Sequence, residues 1–220
     1  MNIVSRPEPM REPTVAGLLA EYGGFADLIA ELDATAWARP TRCVGWQVCD
    51  VAGHVVGQLI DTVSGAAGRR TADEQAAAMR DQPPSALAAD LRANAESFAQ
   101  LSTVFDDTNW GGPSPIPDLT LGEGVHALLN DAYVHADDIR TALGLPADNG
   151  SGLQASLDFV LGALIGDDAS TDPRIAKLLG IPAAEFAGAT GFDAHDFLLA
   201  ATGRLNAARL GLPTSINIYR

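Results

Sequence analysis

The sequence predicts an all-α protein, an up-and-down four-helix bundle with a C-terminal helical extension. Three observations carry this prediction. Apolar residues recur at helical spacing in four long segments, strand-like alternation is missing, and Pro- and Gly-rich stretches fall between the segments. At 220 residues and 47% hydrophobic content, the chain has ample material for a packed core.

The elements follow in order. From Pro13, the residues Leu18, Leu19, Tyr22, Phe25, Leu28, Ile29 and Leu32 mark a first helix. "DATAWARPTRCVGW" breaks the pattern, with Pro40 as punctuation. A second stripe, from about Gln47 to Val63, consists of Val48, Val51, Ala52, Val55, Val56, Leu59 and Val63. "GAAGRRTADEQ" reads as a mobile connection. Ser85 follows two prolines and is placed to cap a third helix, which carries Leu87, Leu91, Ala95, Phe98 and Leu101. After the loop "DDTNWGGPSPIPDL", Thr120 and Glu123 form a capping box that starts a fourth helix. That helix is predicted to run to Leu143 and stop at Gly144 in a left-handed conformation. No repeat and no low-complexity tract is visible.

This organisation assigns residues 1–148 to the bundle and 149–220 to the extension. Helical stretches "SGLQASLDFVLGALIG" and "DAHDFLLAATGRLNAARLGLP" flank a mixed segment there. The extension is expected to pack on the bundle rather than fold independently.

The formal charge of −14 excludes a nucleic-acid backbone or an anionic membrane surface as main partner, because both require a basic patch. No apolar stretch approaches the roughly 18 residues that span a bilayer, and "MNIVSRPEPMREP" has no apolar signal core. The expectation is therefore a cytoplasmic protein. In that compartment Cys43 and Cys49 are not expected to pair, and two thiols cannot make an all-cysteine zinc site.

Motifs for a nucleophile elbow, a P-loop, a dinucleotide fold or a zinc protease are missing from the sequence. The chemistry-bearing candidates are histidines and carboxylates. Asp131 and His135, four apart on the fourth helix, share one face and can chelate a divalent cation. One further imidazole from a neighbouring helix would complete a three-ligand site open to water or substrate. His54 lies about 60° outside the apolar stripe of the second helix. That flank suits a ligand at the bundle mouth and, equally, a half-exposed histidine paired with Asp50 or Gln58. His126 reads as solvated, and His195 as a first-turn residue after an Asp193 cap. Cys43 and Trp46 read as packing residues.

The same residues resemble a known family. "PTRCVGWQVCDVAGHVVG" resembles the T-x-C-x-G-W-x-V-x-D-x-x-x-H signature of mycothiol-dependent maleylpyruvate isomerase N-terminal domains, within the DinB-like superfamily. "DAYVHADDIRTALGLP" resembles their second signature, usually E-x-x-x-H followed by DLRRALG. "DAHDFLLAATGR" is similar to the closing segment of related actinobacterial metal-binding proteins. The resemblance implies an up-and-down four-helix bundle holding a divalent metal, zinc or else nickel, near one end. Position by position, His54 matches the first ligand, Asp131 the carboxylate and His135 the second histidine.

Asp131 stands where the family usually has glutamate, one methylene longer. Either the helices sit closer, or Asp131 acts through water, or metal affinity is weakened. The resemblance further implies mycothiol or another small thiol as partner. A small electrophile would be the substrate, with isomerisation or thiol transfer as the reaction. Arg140 and Arg204 are candidates to hold an anionic group. Two other functions stay open: a bundle that binds metal or ligand without turnover, and a helical regulator acting on partner proteins. A bundle flank or the tail would support a homodimer.

Overall fold

The computed structural model describes residues 8–165 and 168–219. Among them the chain is helical, with no strand beyond two isolated bridges. The elements in order are α1 (Arg11–Ala30), α2 (Ala34–Trp37), α3 (Val48–Val63), α4 (Ala72–Met79), α5 (Pro84–Ser102), α6 (Asp107–Trp110) and α7 (Leu121–Leu143). Then follow α8 (Ser151–Leu164), α9 (Pro173–Ala176), α10 (Phe186–Thr190) and α11 (Ala194–Ala201). The chain divides into two compact units, Pro9–Ala147 and a second that carries Asp148 onward.

In the first unit the four long helices form the bundle. Helix α1 packs on α5 and α7, and α3 packs on the same two. The shared core contains Leu18, Tyr22, Phe25 and Ile29 from α1, and Val51, Val55 and Leu59 from α3. Leu87, Leu91 and Phe98 from α5 and Val125, Leu129 and Ile139 from α7 complete it. Each such side chain stabilises the fold by roughly 1.5–3 kcal/mol through burial.

The predicted limits of α7 are present. Thr120 Oγ1 accepts from the Glu123 N–H at 3.1 Å, and Glu123 accepts from the Thr120 N–H at 2.8 Å. Gly144 adopts φ 71°, so the Leu145 N–H reaches the Arg140 carbonyl at 2.9 Å.

Three expectations are corrected. Ser85 does not cap the third helix: Pro83 is the N-cap and Pro84 the first helical residue, where its missing N–H is of no consequence. "GAAGRRTADEQ" is not merely a connection, because its second half opens α4. Thr71 accepts from the Glu74 N–H at 3.2 Å while Glu74 accepts from the Thr71 N–H at 2.7 Å, a capping box. Helix α4 lies against α3 at Gly53 and Gly57, where a Cβ would stand 3.0 Å from Met79 Cβ and 2.9 Å from Gln75 Cβ respectively.

The third correction concerns repetition. The helices α3 and α7 are entered by the same device. Asp33 caps α2, which ends at Trp37, and Pro40 bridges Gln47 before α3. Asp106 caps α6, which ends at Trp110, and Pro113 bridges Thr120 before α7. Within the loops, Thr41 Oγ1 accepts from the Cys43 N–H and Ser114 Oγ from the Ile116 N–H. The matching positions Gly45 and Asp118 both take positive φ, 83° and 63°. The pattern Asp-x-Thr-x-Trp-x-x-Pro stands in both copies, at residues 33–40 and 106–113, while beyond each proline the repetition is one of backbone hydrogen bonding rather than of residues.

In the second unit, α8 and α11 pack together around Leu157, Val160, Phe197 and Leu198. Asp193 caps α11 by accepting from the Asp196 N–H at 2.9 Å, as expected, with His195 in the first turn. No described helix is long and apolar enough to cross a membrane.

Candidate metal centre

Helices α3 and α7 bring His54, Asp131 and His135 together. His54 Nε2 lies 3.3 Å from one Asp131 carboxylate oxygen and His135 Nε2 lies 3.5 Å from the other. The two imidazole rings are 5.0 Å apart, nearly perpendicular, at 81°. One ligand atom from each of the three residues falls within 4.8 Å of the others. Aspartate is therefore long enough here to address both imidazoles.

Each imidazole is oriented through its other nitrogen. His135 Nδ1 meets Asp138 Oδ2 at 2.9 Å, and Asp138 is held by the Arg42 guanidinium, which also binds Asp137. His54 Nδ1 meets Gln75 Oε1 at 2.8 Å. The orientation of that amide is dictated by Asp61, a carboxylate that can only accept: Gln75 Nε2 donates to it at 2.8 Å, leaving Oε1 for the imidazole. Arg70 binds Asp61 at 2.7 Å. Burial alone would raise the Asp61 pKa, but hydrogen bonds from Arg70 and Gln75 outweigh it and hold the carboxyl below its ordinary value.

Two chains of hydrogen bonds thus end in two Nδ1–H groups, which leaves both Nε2 lone pairs turned toward one carboxylate. Lone pairs and a carboxylate gathered this closely repel one another unless a positive charge lies between them. The donor set suits a borderline divalent ion, with imidazole nitrogens and one carboxylate supplied by neighbouring helices.

The structure corrects the placement of His54. It is buried, not half-exposed, and its Nδ1 partner is Gln75 rather than Asp50 or Gln58. The reason is α4, which covers the flank that the wheel of α3 left open to solvent. Asp50 instead binds Arg80 and the Gln47 N–H. Trp46 does more than pack: its indole lies 5.4 Å from the His54 ring and 6.2 Å from the His135 ring, and Nε1 donates to Asp73 at 2.8 Å. Cys43 stands on the far side of His135, its Sγ donating to Asp138 at 3.1 Å and lying 4.0 Å from His135 Nδ1. Cys43, His135 and Asp138 form a second group able to hold a cation. No disulfide joins Cys43 and Cys49.

Sequence reasoning missed Gln75, Asp61 and Arg70. The signal available was the Thr71–Glu74 capping box, which announces a helix whose first turns carry Gln75. A third group, Asp193, His195 and Asp196, lies in the second unit and is mostly exposed. Its geometry is accounted for by the α11 cap.

The sequence model of the family described as Mycothiol maleylpyruvate isomerase N-terminal domain matches residues 18–140, more than half of the chain. That span holds all three residues of the centre. No curated protein and no solved structure matches the chain.

Proposed function

The chain belongs to the family of mycothiol maleylpyruvate isomerase N-terminal domains, and from that premise we propose a metalloenzyme that acts with a small thiol. His54, Asp131 and His135 hold a divalent ion, zinc in the first instance and nickel as the alternative. The carrying observation is the pair of Nε2 atoms directed at opposite oxygens of Asp131, each imidazole fixed through Nδ1. Such a bound ion supplies Lewis acidity and lowers the pKa of a thiol that reaches it.

The protein's own groups do the rest. Two neutral imidazoles and one carboxylate compensate only part of a divalent charge, so the site favours an anionic sulfur. Trp46 forms an aromatic wall over both histidines and excludes water from one side. Val44, almost fully exposed on the same loop, offers an apolar contact at the rim. The thiol is mycothiol and the reaction a cytoplasmic one on a small electrophile. In isomerisation the thiolate adds and is expelled again, so the carbon–sulfur bond formed is the bond later broken. In thiol transfer the sulfur stays on the product while the electrophile's leaving group departs.

The test is metal analysis of the tag-free protein beside His54→Ala, His135→Ala and Asp131→Asn. The expected result is one ion per wild-type chain and loss of it in each variant. Failure of the wild type to retain zinc or nickel after reconstitution overturns the metal reading. A ligand-to-metal absorbance change on adding thiols is expected; its absence shifts the function to metal binding without thiol chemistry.

A further inference from the structure

Two side chains share one oxygen of Asp138. Its Oδ2 stands 2.9 Å from His135 Nδ1 and accepts from Cys43 Sγ at 3.1 Å. The sulfur and Nδ1 are themselves 4.0 Å apart, so the carboxylate oxygen lies beside the middle of the line that joins them. Cys43, His135 and Asp138 thus offer one sulfur, one nitrogen and one oxygen around a single point. That point is on the other side of the His135 ring from Asp131, which faces Nε2 at 3.5 Å. Cys43 is partly exposed and its neighbour Val44 almost fully so, which leaves the thiol within reach of solvent.

The donors select a soft ion. Thiolate is the ligand of thiophilic metals, and imidazole suits copper as well as zinc. Zinc in a closed protein site takes four ligands at tetrahedral corners. Here sulfur and nitrogen lie across from each other. Bonds of roughly 2.3 Å to sulfur and 2.0 Å to nitrogen, laid end to end, slightly exceed the 4.0 Å gap, so an ion between them holds both donors at a wide angle. Copper(I), a closed-shell ion satisfied by two opposed donors, matches that arrangement. A monovalent ion also replaces the thiol proton charge for charge. That matters in a cluster where Asp138 is fully buried and Arg42 already binds both Asp137 and Asp138.

We infer that Cys43 and His135 Nδ1, with Asp138 beside them, form a copper(I) site, and that its occupation excludes a divalent ion from the Asp131 side of the same ring. A neutral imidazole carries one proton and one lone pair. With the proton on Nδ1, held by Asp138, the lone pair on Nε2 faces Asp131. With the proton on Nε2, the lone pair on Nδ1 faces Cys43. One ring therefore serves one ion at a time. Copper(I) binding sends the thiol proton to solvent and moves the imidazole proton from Nδ1 to Nε2, with no change in the oxidation state of copper or sulfur. The exclusion rests on the reading of His54, Asp131 and His135 as a metal centre; the copper(I) site stands without it.

The test uses the tag-free, metal-free full chain under anaerobic conditions. Copper(I) is supplied as its bathocuproine disulfonate complex, whose absorbance reports the copper transferred. The wild type is expected to take one copper(I) per chain, with one sulfur and one nitrogen neighbour in its X-ray absorption spectrum. Cys43→Ser is expected to lose that copper and His54→Ala to keep it. Loading with zinc is expected to weaken copper(I) binding about tenfold or more, and copper(I) to weaken zinc by the same factor. No copper(I) uptake by the wild type, or uptake unchanged in Cys43→Ser, overturns the site. Copper(I) affinity equal with and without zinc overturns the exclusion. Failure of the wild type to bind zinc overturns the divalent centre and the exclusion with it, while the metal-free titration still decides the copper(I) site. Should Cys43→Ser not fold, alkylation of the wild type decides. Bound copper(I) must protect Cys43 from iodoacetamide, read by mass spectrometry, and equal labelling with and without copper(I) overturns the site.

Discussion

Gln75 Oε1 accepts from His54 Nδ1 at 2.8 Å, although Gln75 belongs to a short helix outside the four-helix core. This contact fixes which imidazole nitrogen faces Asp131. It is reached only because Gly53 and Gly57 let α4 settle onto α3. The candidate centre therefore depends on three helices, α3, α4 and α7, and not only on the two that carry its candidate ligands.

Gln75→Leu keeps the size of the side chain and removes its acceptor. His54 then loses the group that holds its tautomer, and Asp61 loses a donor while keeping Arg70. The expected outcome is a zinc affinity lowered about 10- to 100-fold, the range typical of lost outer partners of metal-binding histidines. Competition with a chromophoric chelator measures it. An affinity equal to wild type would mean that the Gln75 contact does not orient the ligand.

Cys43→Ser distinguishes the two cation-binding groups that share His135. Cys43 and Asp138 address Nδ1, whereas Asp131 addresses Nε2. With the ion on the Nε2 side, the serine variant retains one metal per chain, with affinity within a few-fold of wild type. If elemental analysis instead finds the metal lost, the ion belongs with Cys43, His135 and Asp138, and the assignment of His54 falls.

Much of the fold was legible because four long apolar stripes announce four long helices, and because Thr120, Glu123 and Gly144 carry the terminus chemistry of α7. Asp131 and His135 were legible because i, i+4 spacing is local. His54 was readable as a candidate ligand only through the Cys-Gly-Trp-Asp register before it. Its own helical wheel placed it on a flank and could not know that α4 covers that flank. Gln75, Asp61 and Arg70 escaped because their meeting is a tertiary event across three segments. The paired entry loops escaped for a different reason: the shared Asp-x-Thr-x-Trp-x-x-Pro is only eight residues long, and beyond each proline backbone hydrogen bonds and positive φ repeat while the residues do not.

Asp61 also sets an acid limit. Its folded pKa is depressed, since the Arg70 and Gln75 hydrogen bonds outweigh burial. A depressed carboxylate contributes stability above its unfolded value, and that contribution disappears as pH falls through the lower folded value. In metal-free protein, the advantage of wild type over Asp61→Asn is thus constant at neutral pH and shrinks below the ordinary value of 3.8. Urea melts of both proteins across the acid range give the comparison. An advantage that grows on acidification would contradict the sign.

Gly57→Ala tests the approach of α4 to α3. In a solvent-facing helix interior, Gly→Ala stabilises by about 1 kcal/mol, because alanine has the higher helix propensity. Gly24 on α1 is such a site, exposed and with nothing within 4 Å of the place an added methyl group would take. At Gly57 the same methyl stands 2.9 Å from Gln75 Cβ and 3.3 Å from its Cα. Relief requires α4 to move, since the obstruction lies at the root of the side chain rather than its flexible end. The expected result is opposite signs: Gly24→Ala raises the melting temperature, and Gly57→Ala lowers stability by roughly 1–3 kcal/mol, as overpacking does. Displacing Gln75 also loosens His54, so zinc affinity falls in Gly57→Ala and not in Gly24→Ala. Equal stabilisation by both substitutions would show that α4 does not seat against Gly57, and the orienting role of Gln75 would lose its structural basis.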